Sequence, residues 1–268
     1  MLSRAVVIGQ YVPSKSAIHE LDARTKLLGT LAFATLLLMV PSWWGQGIMA
    51  ACAVAAFLAA RLRPAVIWRG LQPVIWLLLA TLAFNALLTP GNPVWRLGPL
   101  VVTDAGLDFG ARMGVRLLLL VAVGSLLTLT TAPVDLTDGL ESLLRPFRRL
   151  GVPAHELALM MTIALRFIPT LLDEAERIAR AQAARGADFE SGGALRRLRA
   201  MAPLLVPLFL SAFRRADELA AAMEARCYRG GEGRTRYHER RFGYRDGVAA
   251  ALFLALVALL GWLRWRGL

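Results

Sequence analysis

The hydrophobic residues are distributed along the chain as in a protein that crosses a membrane several times. Long apolar stretches recur and are separated by short polar or basic segments. A spanning helix needs about 20 consecutive, mostly apolar residues. Five stretches approach this length, at about 27–44, 47–60, 71–88, 113–130 and 248–263. The second is short, as expected of a tilted or partly embedded helix. The pattern predicts an all-α, polytopic membrane protein with about five spanning helices.

A different pattern fills the long segment between the fourth and fifth stretches. Apolar residues recur there every three or four positions, which places them along one face of a helix. The spacing predicts a long helix over 154–184, bent at Pro169, and a second over about 195–228 that contains two prolines. A shorter helix over 135–149 is expected before them. No strand-like alternation of any length is found.

Composition and charge agree with this picture. Hydrophobic residues make up 57% of the 268-residue chain, and its mean hydropathy is +0.53. The segment 132–245 holds 19 of the 31 basic residues, interleaved with 14 acidic ones. Because basic loops stay on the cytoplasmic side of a membrane, this segment and, four spans earlier, the N-terminus are expected in the cytoplasm. We therefore predict an N-terminal membrane part (1–131), a cytoplasmic segment of long amphipathic helices (132–245) and a C-terminal spanning helix (246–268).

Two helix ends in the cytoplasmic segment are alike. One carries Ala184, Arg185 and Gly186, and the other carries Ala225 and Arg226. Alanine lets another surface approach closely, the helix dipole favours arginine at a C-terminus, and glycine takes the left-handed conformation that ends a helix. A single such end is more often an ordinary helix cap. Two of them on two long helices favour a pair of guanidinium groups that dock into acidic grooves of a partner.

The chain lacks the motifs of an enzyme or a metal site. Neither of its lysines lies in a G-x-x-x-x-G-K-[ST] phosphate-binding loop, so nucleotide energy must come from a separate subunit. His19, His155 and His238 lie in different segments and have no second metal ligand one helical turn away. The distant Cys52 and Cys227 predict no disulfide. We expect no catalytic residue, no metal and no cofactor in this chain.

Charges elsewhere leave alternatives open. Arg112 and Arg116 border the fourth stretch on one helix face, and they either find partners there or extend to the membrane surface. The absence of a ladder of acidic residues argues against a self-sufficient ion-coupled transporter. Interleaved acidic residues and the lack of stacking aromatics argue against nucleic acid. A membrane scaffold or channel whose basic segment only binds anionic lipid is the alternative from another class. Residues 1–26 lack the apolar core of a removable signal peptide, so none is expected.

The chain resembles the transmembrane T component of energy-coupling factor (ECF) transporters over nearly its whole length. The likeness rests on three segments: Tyr11 to Leu27, the sequence Arg166-Phe167-Ile168-Pro169 with the Ala184-Arg185-Gly186 end, and Ala216 through Arg226. In that family the long helices form a coupling domain, and two arginines dock into grooves on two ABC-type ATPase subunits.

The resemblance implies docking roles for Ala184, Arg185, Gly186, Ala225 and Arg226. It also implies that ATP and Mg²⁺ are bound by the partner ATPases, and that a separate substrate-binding S component in the plasma membrane holds a vitamin or a transition-metal ion. A T component of a dedicated cobalt or nickel uptake module is the alternative within the family.

One departure from the family pattern bears on the second arginine-bearing helix end. Cys227 follows Arg226, where the family has glycine. A residue other than glycine costs about 1–2 kcal/mol in the left-handed region. We therefore expect the second long helix to continue slightly past Arg226, to the turn at Gly230-Gly231.

Overall fold

The computed structural model describes residues 11–14, 16–97, 100–187, 194–230 and 243–266. Within these ranges the chain is almost entirely helical, which confirms the predicted all-α class. Its elements are, in chain order, α1 (Ala23–Met39), α2 (Trp43–Ala60), α3 (Pro64–Leu88), β1 (Pro93–Leu97), β2 (Leu100–Thr103), α4 (Asp104–Thr130), α5 (Pro133–Leu144), a 3-10 helix (Arg145–Leu150), α6 (Ala154–Ala184), α7 (Ala194–Ala225) and α8 (Tyr244–Trp265).

The described residues form two compact units. One, here called the membrane unit, lies within 9–139 and 239–268, and the other, the long-helix unit, lies within 140–238. The predicted divisions near 131 and 245 stay predictions, since a compact unit does not say where the membrane is.

Several helices of the described chain are long and apolar enough to cross a membrane. These are α2, α4, α6 and α8, and α3 becomes a fifth if its two halves form one span. The axis of α3 bends by 50° between Gln72 and Val74, since Pro73 cannot donate a backbone hydrogen bond. α1 has 17 residues, which is about the shortest length that can span. About five spanning helices were predicted, and the four or five candidates confirm that number. By length and composition the candidates include α6 and not α1.

Two of the predicted helix boundaries differ from those observed, and a proline lies at each. The first apolar stretch was expected as one span over 27–44, but α1 ends at Met39, and Trp43 begins α2 beyond Pro41. The helix expected over 135–149 ends at Leu144 and continues as the 3-10 helix, because Pro146 lacks the N–H that a further α-helical turn needs.

The connection between α3 and α4 contains a β-hairpin that the sequence analysis missed. β1 and β2 pair antiparallel, with Trp95 opposite Val102 and Leu97 opposite Leu100. Strands of five and four residues are too short for an alternation to stand out, and the Gly-Pro dipeptide between them was the available signal. The polar start of α4 was also missed, because it precedes the apolar stretch of that helix. The hydroxyl of Thr103 accepts a hydrogen bond from the Gly106 N–H at 3.2 Å and caps α4 there.

The membrane unit has an apolar core where α1, α2, α4 and α8 meet. Leu37 of α1 and Met49 of α2 are fully buried there, against Leu119 of α4 and Leu260 of α8. Many large apolar side chains of the same helices point outward; Trp44, for example, is 72% exposed. Such a surface suits contact with hydrocarbon, where every backbone group must find its partner within the helix.

A buried polar cluster joins the start of α1, the end of α4 and the start of α8. The carboxylate of Asp246 accepts hydrogen bonds from the backbone N–H of Asp22 at 3.0 Å and of Gly243 at 2.9 Å. The ammonium group of Lys26 donates to the carbonyl oxygens of His19 and Thr130, both at 3.1 Å. These hydrogen bonds hold together three segments that are distant in sequence.

His19 anchors the segment before α1. Its ring lies within hydrogen-bonding distance of the hydroxyls of Ser16 (2.6 Å) and Ser14 (3.2 Å) and of the carbonyl oxygen of Val12 (3.1 Å). Burial lowers the pKa of His19, although the Val12 carbonyl acts in the opposite direction. The folded chain therefore binds a proton at His19 less readily than the unfolded chain does. The contribution of the neutral ring to the free energy of unfolding is complete above a pH of about 6.5 and is lost as the pH falls below it.

Replacing Asp246 by alanine should destabilise the membrane unit. The change removes both acceptors and leaves the Asp22 N–H without its partner, and each unsatisfied buried group costs about 1–3 kcal/mol. We expect a lower unfolding temperature of the purified chain in detergent, followed by tryptophan fluorescence. Asp217→Ala, at an exposed position of α7, removes the same charge and should change little. Equal unfolding temperatures for both variants would contradict a structural role of the cluster.

Candidate docking site at two helix ends

α6 and α7 carry all of the candidate docking residues. α6 has the predicted bounds and 31 residues, and α7 has 32, so that each is about 46–48 Å long at about 1.5 Å per residue. The two helices pack against each other, and an ion pair between Glu174 and Arg215 joins them at 3.8 Å. Each C-terminus is therefore the tip of a long rod that is braced by the other helix.

Both helices end in the dipeptide Ala-Arg. The first arginine end is Ala184–Gly186, and the second arginine end is Ala225–Cys227. In each, alanine is the last helical residue, arginine is the first residue after it, and the next residue has a positive φ.

The first arginine end closes α6 with two backbone hydrogen bonds. Gly186 has a φ of +88°, and its N–H donates to the carbonyl of Ala183 at 3.0 Å. The N–H of Ala187 reaches back to the carbonyl of Gln182, also at 3.0 Å. This pair of bonds is the Schellman motif, which satisfies the last carbonyls of a helix and ends it at a defined residue. Arg185 occupies the C-cap position of the motif.

The second arginine end closes α7 with the same pair of bonds. The N–H of Cys227 donates to the carbonyl of Glu224 at 2.9 Å, and the N–H of Tyr228 donates to that of Met223 at 3.0 Å. Arg226 therefore holds the same place in this motif as Arg185 does in the first. The backbone presents both arginines in the same way.

The prediction that α7 continues past Arg226 is wrong. Cys227 has a φ of +56°, in the left-handed region, and α7 ends at Ala225. The expected cost of about 1–2 kcal/mol does not prevent this end, because the motif adds two backbone hydrogen bonds of about 0.5–1.5 kcal/mol each. Gly230, three residues later, also has a positive φ of +83°, so the chain has two left-handed residues here, and α7 ends before the first of them.

Arg185 and Arg226 are both exposed, as are Ala184 and Ala225 beside them. Among the residues that the structure describes, neither guanidinium group has a hydrogen bond or an ion pair. Toward the described part of the chain each group therefore keeps its five N–H donors free, and the small neighbouring side chain leaves room for another surface. Chemically, this arrangement suits a carboxylate-lined groove, which a guanidinium can bind through two parallel hydrogen bonds.

A second pair of arginines, within the membrane unit, is structural. Arg112 forms an ion pair with Asp108 one turn earlier on α4 and donates to the carbonyl of Pro41 at 3.4 Å. Arg116 donates to the carbonyl of Val40 at 2.9 Å. Of the two alternatives that the sequence left open, partners within the chain are the ones observed. These arginines fasten the connection between α1 and α2 to α4.

In the described part of the chain, no three His, Cys, Asp or Glu side chains come together as metal ligands would. His155 instead approaches Glu141, with 3.4 Å between Nδ1 and Oε1, and His238 lies outside the described residues. The expectation that this chain binds neither metal nor cofactor stays a prediction.

Nearly the whole chain is similar to known proteins. Residues 14–237 match the CbiQ family, which is described as cobalt transport protein. The energy-coupling factor transporter transmembrane protein EcfT of Acidaminococcus fermentans is 50% identical over 260 residues, which cover 97% of each chain. Its counterparts from Thermosediminibacter oceani and Thermanaerovibrio acidaminovorans are 50% and 51% identical, and each match covers 96% of both chains.

Fold, hydropathy and relatives define a polytopic, all-helical membrane component of a transporter. Within that class, the chain belongs to the family of transmembrane T components of ECF transporters. The resemblance that was based on the opening segment and the two arginine ends is thereby confirmed.

Opposite substitutions at the two arginine ends should have opposite effects. A Cβ atom at Gly186 would meet nothing within 4 Å, so Gly186→Ala is penalised only by the positive φ, and Cys227→Gly removes that same penalty. In Gly186→Ala we expect amide hydrogen exchange in the last turn of α6 to become about 5- to 30-fold faster. In Cys227→Gly we expect exchange in the last turn of α7 to become slower by the same factor. The unmodified end serves as the control in each variant. Unchanged exchange in α7 would mean that Cys227 is not strained.

Proposed function

We propose that this chain is the non-catalytic coupling subunit of an ATP-driven importer of the ECF type. Two ABC-type ATPases bind the long-helix unit and hold ATP and Mg²⁺ themselves. A separate S component in the membrane binds the substrate, a vitamin or a metal ion. The observation that carries the proposal is the pair of arginine ends, which share one capping motif and expose an arginine at its C-cap.

Docking at these ends requires that the arginines be held in place before the partner arrives. The Schellman motif fixes the backbone on either side of Arg185 and Arg226. Binding of a partner therefore restricts only the side-chain torsions of these two arginines. The negative end of each helix dipole adds a favourable field for the positive charge. Two acidic grooves, one on each ATPase subunit, are the partner surface that this arrangement fits.

Transmission requires that a force on one end reach the rest of the chain. α6 and α7 are continuous helices that brace each other, and the Glu174–Arg215 ion pair ties them at 3.8 Å. When ATP binding brings the two ATPases together, the two ends move with them. The helices then carry this motion to the membrane, where the S component is reoriented or reshaped.

The proposal places the arginine ends and the N-terminus in the cytoplasm, where ATP is available. Basic residues are concentrated in 132–245, as the positive-inside tendency requires. Although α6 is long enough to span, its second half carries five charged residues over 173–180. Each charge would cost about 2.5–3.5 kcal/mol at the centre of a membrane, so α6 is better placed along the inner surface of the plasma membrane.

Two further candidates remain. A dedicated cobalt or nickel module is favoured by the family description, cobalt transport protein. Both it and a vitamin importer would use the same docking ends, since the substrate is bound by another subunit. A scaffold or channel whose basic segment only binds lipid is disfavoured by the fixed positions of the two arginines, because attraction to an anionic surface depends on charge and not on capping geometry.

Charge reversal at both ends should release the ATPases. We expect Arg185→Glu combined with Arg226→Glu to abolish co-purification of co-expressed ATPase subunits in detergent and to abolish ATP-dependent uptake, because each glutamate would face an acidic groove. The matched control is Arg177→Glu combined with Arg214→Glu, which makes the same charge change at exposed positions of the same two helices. If both double variants retain the ATPases, or lose them equally, docking at the arginine ends is wrong.

A further inference from the structure

A groove in the membrane unit runs between α2 and α8 and has a volume of about 1000 Å³. Its apolar walls are formed on α2 by Cys52, Ala55, Ala56 and Ala59 and on α8 by Val248, Ala249, Leu252 and Leu256. At its rim Leu58 is 73% exposed and Leu252 is 68% exposed. The groove therefore opens sideways, toward the hydrocarbon that surrounds these helices.

One end of this groove is basic. Arg61 follows the last residue of α2, and Arg245 lies in the first turn of α8; both line the groove together with Glu20. Arg245 forms an ion pair with Glu20 and donates from Nε to the hydroxyl of Tyr244 at 3.2 Å. Arg61 has neither an ion pair nor a hydrogen bond from its side chain in the described part of the chain. Two arginines against one glutamate leave one positive charge uncompensated.

The backbone of Arg61 is strained. Its φ of +53° lies in the left-handed region, where glycine would end α2 at no cost and another residue costs about 1–2 kcal/mol. The Arg61 N–H donates to the carbonyl of Leu58 at 3.1 Å, but within the described chain the side chain adds no hydrogen bond or ion pair. A strained residue with a free charge beside an apolar groove suggests that the guanidinium has a partner outside this chain.

We propose that the groove binds one anionic phospholipid, with an acyl chain between α2 and α8 and the phosphate on Arg61 and the free side of Arg245. From Arg61 to Cys52 the wall extends about 14 Å at about 1.5 Å per residue, which is close to one leaflet, half of the hydrocarbon core of about 30 Å. Basic pockets between spanning helices are suited to anionic head groups, and a guanidinium binds phosphate through paired hydrogen bonds.

A second cavity provides space for the other acyl chain. It has a volume of about 700 Å³, is lined by α1, α2, α4 and α8, and meets the groove at Cys52, Ala56 and Phe253. Phospholipids carry two chains on one head group, so two apolar cavities that join, one of which reaches a basic end, match such a molecule. Inorganic phosphate alone would leave both cavities without an occupant.

The test is native mass spectrometry of the full chain, purified with its partner subunits from membranes that contain phosphatidylglycerol and phosphatidylcholine. We expect one phosphatidylglycerol to remain bound and phosphatidylcholine to be lost. Arg61→Gln should lower the bound fraction about tenfold, since it removes a charged hydrogen-bonding partner. Ala56→Phe, which fills the junction of the two cavities, should displace the lipid without changing any charge.

Arg63→Gln is the matched control, because Arg63 is an exposed arginine two residues away that does not line the groove. Lipid retained to the same extent by Arg61→Gln and Arg63→Gln, or equal retention of both lipids, would overturn the proposal. So would a complex without bound lipid in which Cys52 is protected from alkylation, because that result would mean that a protein partner covers the groove. The result is independent of whether the ATPases dock at the arginine ends.

Discussion

The last carbonyl groups of an α-helix have no partner within the helix, and the way in which they are satisfied decides where the helix stops. In both long helices of this chain, the same pair of backbone hydrogen bonds around a left-handed residue, Gly186 or Cys227, satisfies two of these carbonyl groups. This pair places one arginine immediately after the last helical residue. The rest of the proposed coupling mechanism depends on it, since an arginine on a frayed helix end would have no fixed position to transmit force from.

The membrane unit is organised by a different constraint. In hydrocarbon the hydrophobic effect does not drive helices together, so close packing and polar contacts between helices hold their positions. Asp246 and Lys26 connect α1, α4 and α8, and Arg112 and Arg116 fasten the connection between α1 and α2 to α4. The groove assigned here to a lipid lies between α2 and α8, beside the core that Met49 and Leu260 share.

Sequence patterns predicted the features that depend on regular periodicity. The bounds of α6 agree with the prediction at both ends, because Pro153 precedes the apolar stripe and glycine follows it. Features that depend on a balance of local terms were not predictable in the same way. The stop at Cys227 needed the hydrogen bonds of the folded chain, and the hairpin was too short for a pattern. Arg116 donates to a backbone carbonyl, that of Val40, which leaves no trace in the sequence.

The repeated Ala-Arg at two helix ends was visible in the sequence, whereas the equivalence of the two backbones was not, and the docking role stays a proposal. Alanine and arginine recur at both ends, but only the hydrogen bonds show that Arg185 and Arg226 hold corresponding positions. The most direct measurement of the central claim is photo-cross-linking at the matched exposed positions Ala183 and Glu224, each replaced by a photoreactive residue. The account predicts that each position links to an ATPase subunit and that the doubly labelled chain links to two. Cross-links to lipid alone, or to an ATPase at only one end, would contradict it.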